Sequence, residues 1–473
     1  MTVQGRRPGD RRVKVTRALP EEVRLTPVRP LRPPLPPALV LVIGFAGLIS
    51  IGTLLLLLPF AASDGRWTSI LDALFTATSA VCVTGLVVLD TGTYWSPFGQ
   101  VVILVLIQAG GFGFMTSSTV LLILLARRRT TLRNRVLVQE SLGARSLGAG
   151  PVLVRRVAIF TLFAEAIGAA LLIGFALVRE GPQLEDLWWG LFHAVSAFNN
   201  AGFDVNGGFA SLTAFQRDWA VVGVIGVLVV IGGIGFAVVA DVWERRQWHA
   251  WALETKIVIA TSAALLVAGA VGIGMAEWSN PETLGSLPPA ERVLNSVFHS
   301  VTPRTAGFNT LPIDGMTDQA VVMTMALMFI GGASGSTAGG IKINTFSVLG
   351  IAILSSVRGR PSAEIFGRRI PHGLIYRALS VALLYIAVAF TVALFLQLGT
   401  GTGFIETVFE TLSGIGTVGL SYGITPDLPD AAQLLMTATM FVGRLGPLTL
   451  VLALAARAQM VPYRPAVETM RIG

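Results

Sequence analysis

Apolar runs come in threes along this chain: one long, one short, one long, with a small-residue or polar loop closing each short run on a glycine. The long runs that open each set lie near 38–60, 156–178, 257–276 and 377–397, and those that close it near 98–125, 219–243, 319–354 and 431–457. Each long run suffices to cross a hydrocarbon core of about 30 Å, whereas a middle run of roughly 10 to 14 residues is too short and suits a re-entrant helix. The pattern predicts an all-α membrane protein of four tandem units, each a helix, a re-entrant helix with its loop, and a second helix. The four glycine loops are then arranged around a pseudo-fourfold path.

The loops read TSAVCVTGL (78–86), SAFNNAGF (196–203), TPRTAGF (302–308) and SGIGTVGL (413–420), and their terminal glycines are Gly85, Gly202, Gly307 and Gly419. One phenylalanine precedes each glycine at nearly constant spacing: Phe75, Phe192 and Phe409 by 10 residues and Phe298 by 9. A generic apolar helix would place phenylalanine anywhere, so the spacing marks an internal repeat. The unit boundaries implied are 38–125, 156–243, 257–354 and 377–457, preceded by a tail (1–37) and followed by another (458–473).

The closing long runs share a second glycine pattern: QAGGFGF (108–114), VIGGIGF (230–236), FIGGASGSTAGG (329–340) and FVGRLGP (441–447). Close helix packing through small residues accounts for the first two. The third is too flexible and polar for a simple spanning helix, and irregular backbone at membrane depth is tolerated only where it lines water or protein. This stretch, with Gly331, Gly332, Gly335, Ser336, Thr337, Gly339 and Gly340, is expected to interrupt the helix as a gate beneath the loops. Arg444 falls inside the fourth closing run, at a position equivalent to Gly111 and Gly232, where a charge is costly unless it faces a cavity or partner. It reads either as a clamp on a neighbouring unit's carbonyls or as a positive barrier in the path. Lys342 is expected to snorkel to the cytoplasmic edge.

Composition agrees with the membrane reading. Over 473 residues the chain is 53% hydrophobic and 13% charged, with a mean hydropathy of +0.70, against about 25% charged residues in soluble domains. The net charge of +8 is spread by topology. Basic clusters at 126–135, 244–249, 358–360 and 367–369 follow apolar runs while the alternate connections run acidic, so the basic ones are cytoplasmic by the positive-inside rule. No nucleic-acid-binding domain is implied. The tail at 1–37 is basic and proline-rich, does not resemble a cleavable signal peptide, and reads as a cytoplasmic segment beside anionic lipid. Cys82 is the one cysteine, so no intrachain disulfide forms.

Four glycine loops around an axis point to a cation path. Carbonyl oxygens can replace the hydration shell of an alkali ion, glycine lets its carbonyl turn inward in a crowded loop, and each short helix aims its partly negative C-terminus at the centre. Carbonyls without carboxylates favour a monovalent over a divalent ion. The lining is assigned to Val83, Thr84 and Gly85; Asn200, Ala201 and Gly202; Thr305, Ala306 and Gly307; and Thr417, Val418 and Gly419. His193 and His299 read as packing or vestibule groups, because Thr76 and Glu410 at the matching positions break any ring. Glu406 and Glu410 are candidates for attracting cations at the outer mouth. No paired carboxylates, metal-ligand cluster or nucleophile–base set marks an enzyme. A cation-coupled secondary transporter of potassium or sodium is the rival, since interrupted helices also build substrate sites there.

These loops, together with FIGGASGSTAGGIK and FVGRLGPLTL, resemble the membrane subunits of bacterial Trk/Ktr potassium-uptake systems, within the wider Trk/Ktr/HKT family, over about 38–457. The resemblance implies potassium as substrate, a filter built on the four named glycines, a gate in the third inner helix at 331–340, and an arginine near it at Arg444. It further implies a multi-pass protein of the bacterial plasma (inner) membrane, a homodimer with one ion path per subunit, and a cytoplasmic ring of partner subunits binding ATP, ADP or NAD. No nucleotide-binding signature occurs in this chain. Glycine in all four filter positions resembles the potassium-preferring members, serine in the first position being associated with sodium transport.

Overall fold

The computed structural model describes residues 37–128, 149–180 and 183–446; the N-terminal tail, most of the basic 126–135 cluster, and the chain from 447 lie outside them. The first unit comprises α1 (Pro37–Leu56), a short helix α2 (Ile70–Cys82) and α3 (Pro97–Arg128). The second comprises α4 (Ala149–Glu180), the short α5 (Leu184–Phe198), α6 (Trp219–Ile234) and α7 (Phe236–Arg245). In the third are α8 (Leu253–Glu277), the short α9 (Pro289–Val301), α10 (Asp318–Met328) and α11 (Ile343–Val357), and in the fourth α12 (His372–Thr400), the short α13 (Phe404–Gly416) and α14 (Asp430–Leu445). After α11 comes a two-stranded hairpin, β1 (Glu364–Ile365) with β2 (Arg368–Arg369), and isolated bridges join Ala62 to Trp95 and Ile330 to Ile341.

Among the described residues four helices are long and apolar enough to cross a membrane, and a fifth span results if α6 and α7 are taken together. Their outward faces carry Leu54, Phe163, Phe390 and Leu398, each more than half exposed, as a lipid-facing surface requires.

The short helices close the four units into a ring. Each packs against the closing helix of the unit before it: α5 on α3, α9 on α6, α13 on α10, and α2 back on α14. The regularly spaced phenylalanines are the wedges, since Phe75, Phe192, Phe298 and Phe409 are all buried. Polar ties reinforce three junctions: Trp188 Nε1 donates to Gln100 Oε1 (2.7 Å), Asn295 Nδ2 to the Gln216 carbonyl (2.7 Å) and Gln433 Nε2 to Asp72 Oδ1 (2.9 Å). All four short helices carry carboxylates in the first turn, Asp72, Glu185 with Asp186, Glu291 and Glu406, which complements the positive end of each helix dipole and leaves the negative end facing inward.

The closing-run glycines admit those C-termini. A Cβ on Gly110 would strike the Val81 carbonyl oxygen, one on Gly232 that of Phe198, and one on Gly443 that of Ile415. Each of those carbonyls lies four residues before its loop glycine. By this contact Arg444 corresponds to Gly111 and Gly233, one residue beyond the Gly232 that spacing alone suggests.

Two closing helices are broken. The third is interrupted between α10 and α11, as expected from its sequence. The second bends by 92° at Gly235, between α6 and α7. Packing alone therefore does not account for VIGGIGF: Gly235 sits at φ +85°, ψ 152°, a conformation all but restricted to glycine.

Candidate functional site

At all four loops the residue two before the glycine is left-handed: Val83 at φ 55°, Asn200 at 58°, Thr305 at 74° and Thr417 at 50°. Non-glycine residues adopt this conformation only where the surroundings impose it. The glycines follow at φ 94°, 69°, 80° and 92°. Four different sequences thus converge on one backbone turn.

A hydroxyl four residues after each wedge phenylalanine holds the turn. Ser79 Oγ accepts from Gly85 N–H and Ser413 Oγ from Gly419 N–H, both at 3.1 Å. In the other two loops the hydroxyl donates instead, Ser196 to the Phe203 carbonyl (2.7 Å) and Thr302 to the Phe308 carbonyl (2.5 Å). The residue missing from the third unit lies between Thr302 and Gly307, and the turn absorbs it: Ala306 N–H bonds four residues back to Thr302, whereas Thr84, Ala201 and Val418 bond five back to Ser79, Ser196 and Ser413.

The glycines meet in cyclic order. A Cβ on Gly85 would strike the Ala201 carbonyl oxygen, one on Gly202 would lie 2.8 Å from that of Ala306, one on Gly307 2.7 Å from that of Val418, and one on Gly419 would strike that of Thr84. Each loop abuts the next, and the fourth abuts the first. Carbonyls flanking the glycines therefore lie at the contacts between loops, and no side chain fits there.

Outside this ring is a cavity of about 340 Å³ touched by all four glycines and by Asp90, Asp204 and Asp314. Asp90 bridges two units, accepting from Thr93 N–H (2.9 Å) and from Phe209 N–H (2.9 Å). Burial pushes the Asp204 carboxyl up to about 7, countered by the Asn206 N–H and reinforced by the Asp90 charge. These three carboxylates line the cavity, whereas Glu406 and Glu410, the candidates for an outer mouth from the sequence, are not among its lining residues. Glu406 caps α13 through Gly403 N–H (3.0 Å). Glu410, fully buried, accepts from Ser421 Oγ, Tyr422 N–H (3.0 Å) and Thr425 Oγ1 (3.0 Å) and so braces the strand of chain leaving the fourth loop. His193 and His299 are buried packing groups, with His193 Nδ1 2.8 Å from the Trp189 carbonyl oxygen and His299 Nε2 3.1 Å from Thr324 Oγ1. Cys82 is likewise packed and buried.

Beneath the ring, residues 331–340 form an irregular loop threaded between the second and fourth units. A Cβ on Gly339 would strike Thr417 Oγ1 of the fourth glycine loop, and one on Gly331 the Gly339 carbonyl oxygen, so the segment accepts no side chain at either point. Thr337 Oγ1 donates to Asn200 Oδ1 (2.9 Å) and lies 3.3 Å from the Phe198 carbonyl oxygen. Ser336 Oγ donates within the loop to Ala333 (2.7 Å). Gly332 accepts from Ile343 N–H (3.0 Å), while Gly335 and Gly340 take positive φ of 78° and 62°.

Arg444 is buried to 1% exposure. Its Nη1 donates to the Thr337 carbonyl and its Nη2 lies 3.5 Å from the Gly110 carbonyl oxygen, so it bridges the first unit and the 331–340 loop. Lys342 does not snorkel: its Nζ turns back onto the carbonyls of Ala338 and Gly339. Two basic side chains thus hold three successive carbonyls of one loop. The lysine's distance from water in sequence terms, just after a glycine run, gave no hint of this.

Comparison with known proteins places the chain. A family model described as TrkH, cation transport protein, matches residues 41–462. The Ktr system potassium uptake protein B of Bacillus subtilis is 41% identical over 89% of this chain and 94% of its own length, and the potassium/sodium uptake protein NtpJ of Enterococcus hirae is 36% identical over 94% and 98%. The crystal structure of the potassium transporter TrkH from Vibrio parahaemolyticus shares the fold, with a TM-score of 0.69 at 20% identity over 88% of this chain and 84% of that one. A match across nearly the whole chain, joined to a multi-span fold with a broken inner helix, makes this chain a member of the TrkH family of cation transport proteins, a transport family and not one of enzymes.

Proposed function

We propose that this chain carries potassium across the bacterial plasma membrane through a filter formed by Val83, Thr84, Gly85, Asn200, Ala201, Gly202, Thr305, Ala306, Gly307, Thr417, Val418 and Gly419. The units 38–125, 156–243, 257–354 and 377–457 surround it, and the 331–340 loop with Arg444 forms the gate. The observation that carries the reading is the cyclic abutment of four glycine loops, each with a left-handed residue two positions before its glycine. It offers backbone oxygen from four sides and no fixed carboxylate, which suits a monovalent cation that exchanges water for carbonyls. The relatives named for potassium uptake support the choice of ion, and the one named for potassium and sodium uptake sets the competitor to be tested. In this reading two copies assemble, each with its own path, and a cytoplasmic ring of nucleotide-binding subunits sets the gate.

Purified protein in liposomes, with the cytoplasmic partner added, is expected to pass potassium and to exclude sodium. Current that reverses at the potassium equilibrium potential identifies a channel-like path. Equal flux of the two ions would defeat the potassium assignment, and strictly coupled saturable exchange would replace it with secondary transport.

The outer mouth adds a pH dependence. With its carboxyl raised to about 7, Asp204 is ionised above that value and neutral below it. Acidifying the outside from about pH 8 to about pH 6 therefore removes one negative charge from the mouth and lowers the local cation concentration. The half-saturating potassium concentration is expected to rise a few fold while the maximal rate holds, and Asp204→Asn is expected to flatten the dependence at the acid value. An unchanged profile in that variant would assign the titration to another group.

A further inference from the structure

The break in the second closing helix and the loop from the third are parts of one device. The last helical bond of α6 runs from Gly235 N–H to Ile231 (3.4 Å), and the first of α7 from Val239 N–H to Gly235 (3.3 Å). Between them, the Gly232 and Gly233 carbonyls accept from Thr337 N–H (3.3 Å) and Ala333 N–H (2.8 Å) of the 331–340 loop. A helix end leaves its last carbonyls without intrahelical donors, and such groups at membrane depth must be paired. The loop supplies that pairing. It also sits directly at the bend, since a Cβ on Gly235 would lie 3.2 Å from the Gly335 carbonyl oxygen and from Ser336.

We infer that the 331–340 loop is a removable C-terminal cap for α6, so that withdrawing the loop and straightening α6 and α7 into one helix are a single exchange of hydrogen-bond donors. When Ala333 and Thr337 leave, the same two carbonyls are satisfied by Gly232–Phe236 and Gly233–Ala237 bonds of a continuous helix, the ordinary four-residue ladder. When the loop returns, the ladder opens at Gly235. The only residue at the break must tolerate φ +85° in one state and helical φ in the other, which glycine alone does at low cost. This rests on the reading of 331–340 as the gate, and adds to it that the second unit moves with the third.

Opposite substitutions at the hinge bias opposite states. Gly235→Ala adds a Cβ that is strained at φ +85° and crowded by Gly335 and Ser336, yet is welcome in a continuous helix. Phe236→Pro does the reverse. Proline is accepted at the first position of a helix such as α7, removes the N–H that a continuous helix would aim at Gly232, and fits after a residue with ψ 152°.

Spin labels at Trp243→Cys on α7 and Met275→Cys at the outer end of α8, both about three-quarters exposed, report the bend, with buried Cys82 left in place. An α7 of ten residues is about 15 Å long, and swinging it through 92° moves its far end by about 20 Å. Ser336→Cys, at a position that is fully buried, reports the loop by its reactivity to a small thiosulfonate. In membrane-embedded protein, Gly235→Ala is expected to add a second distance peak shifted on the order of ten to twenty Å, together with at least severalfold faster thiol labelling. Phe236→Pro is expected to keep the parental distance and protection even with Arg444→Ala in the same chain. A straightened helix with the 336 thiol still protected, or no shift in either variant, overturns the cap exchange. Ion flux measured on the same samples separates the two claims: coupled motion without increased flux keeps the exchange and removes the loop's role as gate.

Discussion

Gly85→Ser is expected to abolish most of the preference for potassium over sodium while leaving the protein folded and conducting. The added Cβ strikes the Ala201 carbonyl oxygen of the neighbouring loop, and Gly202 Cα stands 3.0 Å from it. Both are backbone, so no side chain can swing aside. The residue must also hold φ +94°, at a cost on the order of 1–3 kcal/mol for a non-glycine. The ring relaxes by moving Ala201 outward, and the carbonyls no longer present one matched set. A tenfold loss of discrimination needs only about 1.4 kcal/mol, within what this strain supplies. Potassium and sodium flux into liposomes measures the ratio, with Gly47→Ser as the control because a Cβ there meets nothing within 4 Å. Unchanged selectivity in an active Gly85→Ser protein would move the ion site away from the glycine ring.

The loops and their wedge phenylalanines were legible because a repeated function at a repeated depth leaves a spacing in the chain. Gly85, Gly202, Gly307 and Gly419 recur with a phenylalanine nine or ten residues earlier, and burial and ring closure follow from that regularity. The left-handed residue two positions before each glycine was not legible, because valine, asparagine and threonine have no common propensity for it; the conformation is imposed by the hydroxyl beneath and the neighbouring loop beside it. The mouth carboxylates Asp90, Asp204 and Asp314 converge from three units, and nothing in their local sequence marks them off from Glu277. That residue is buried and spent on Thr317 N–H (2.8 Å), Asn280 Nδ2 (2.8 Å) and two threonine hydroxyls. The break at Gly235 was hidden for the opposite reason: VIGGIGF looks like QAGGFGF, and α3 runs through its own copy unbroken. What separates them is the donor loop that arrives at Gly232 and Gly233 from a hundred residues away.

The gate reading meets its hardest test at Arg444, where two functions are superposed. As a clamp, the guanidinium joins the Thr337 and Gly110 carbonyls, and its planar fork reaches both at once. As a barrier, its charge stands beneath the ring at 1% exposure, repelling a cation through a medium that screens poorly. Arg444→Ala removes both. The buried Thr337 carbonyl left without this donor costs about 1–3 kcal/mol, which weakens the loop's hold and shifts its equilibrium by about tenfold for every 1.4 kcal/mol. Basal potassium flux without the cytoplasmic partner is expected to rise tenfold or more on that arithmetic, with the potassium-to-sodium ratio intact because the glycine ring is untouched. Arg444→Lys decides between the two functions. An ammonium keeps the charge but lacks the fork, so flux that stays low identifies electrostatic repulsion as the dominant restraint, and flux that rises toward the alanine level identifies the clamp. The geometry favours the clamp, since Nη1 donates directly to the Thr337 carbonyl of the loop while Nη2 rests against the Gly110 carbonyl of α3. If Arg444→Ala leaves basal flux unchanged, the 331–340 loop does not limit conduction and the restriction lies elsewhere on the path.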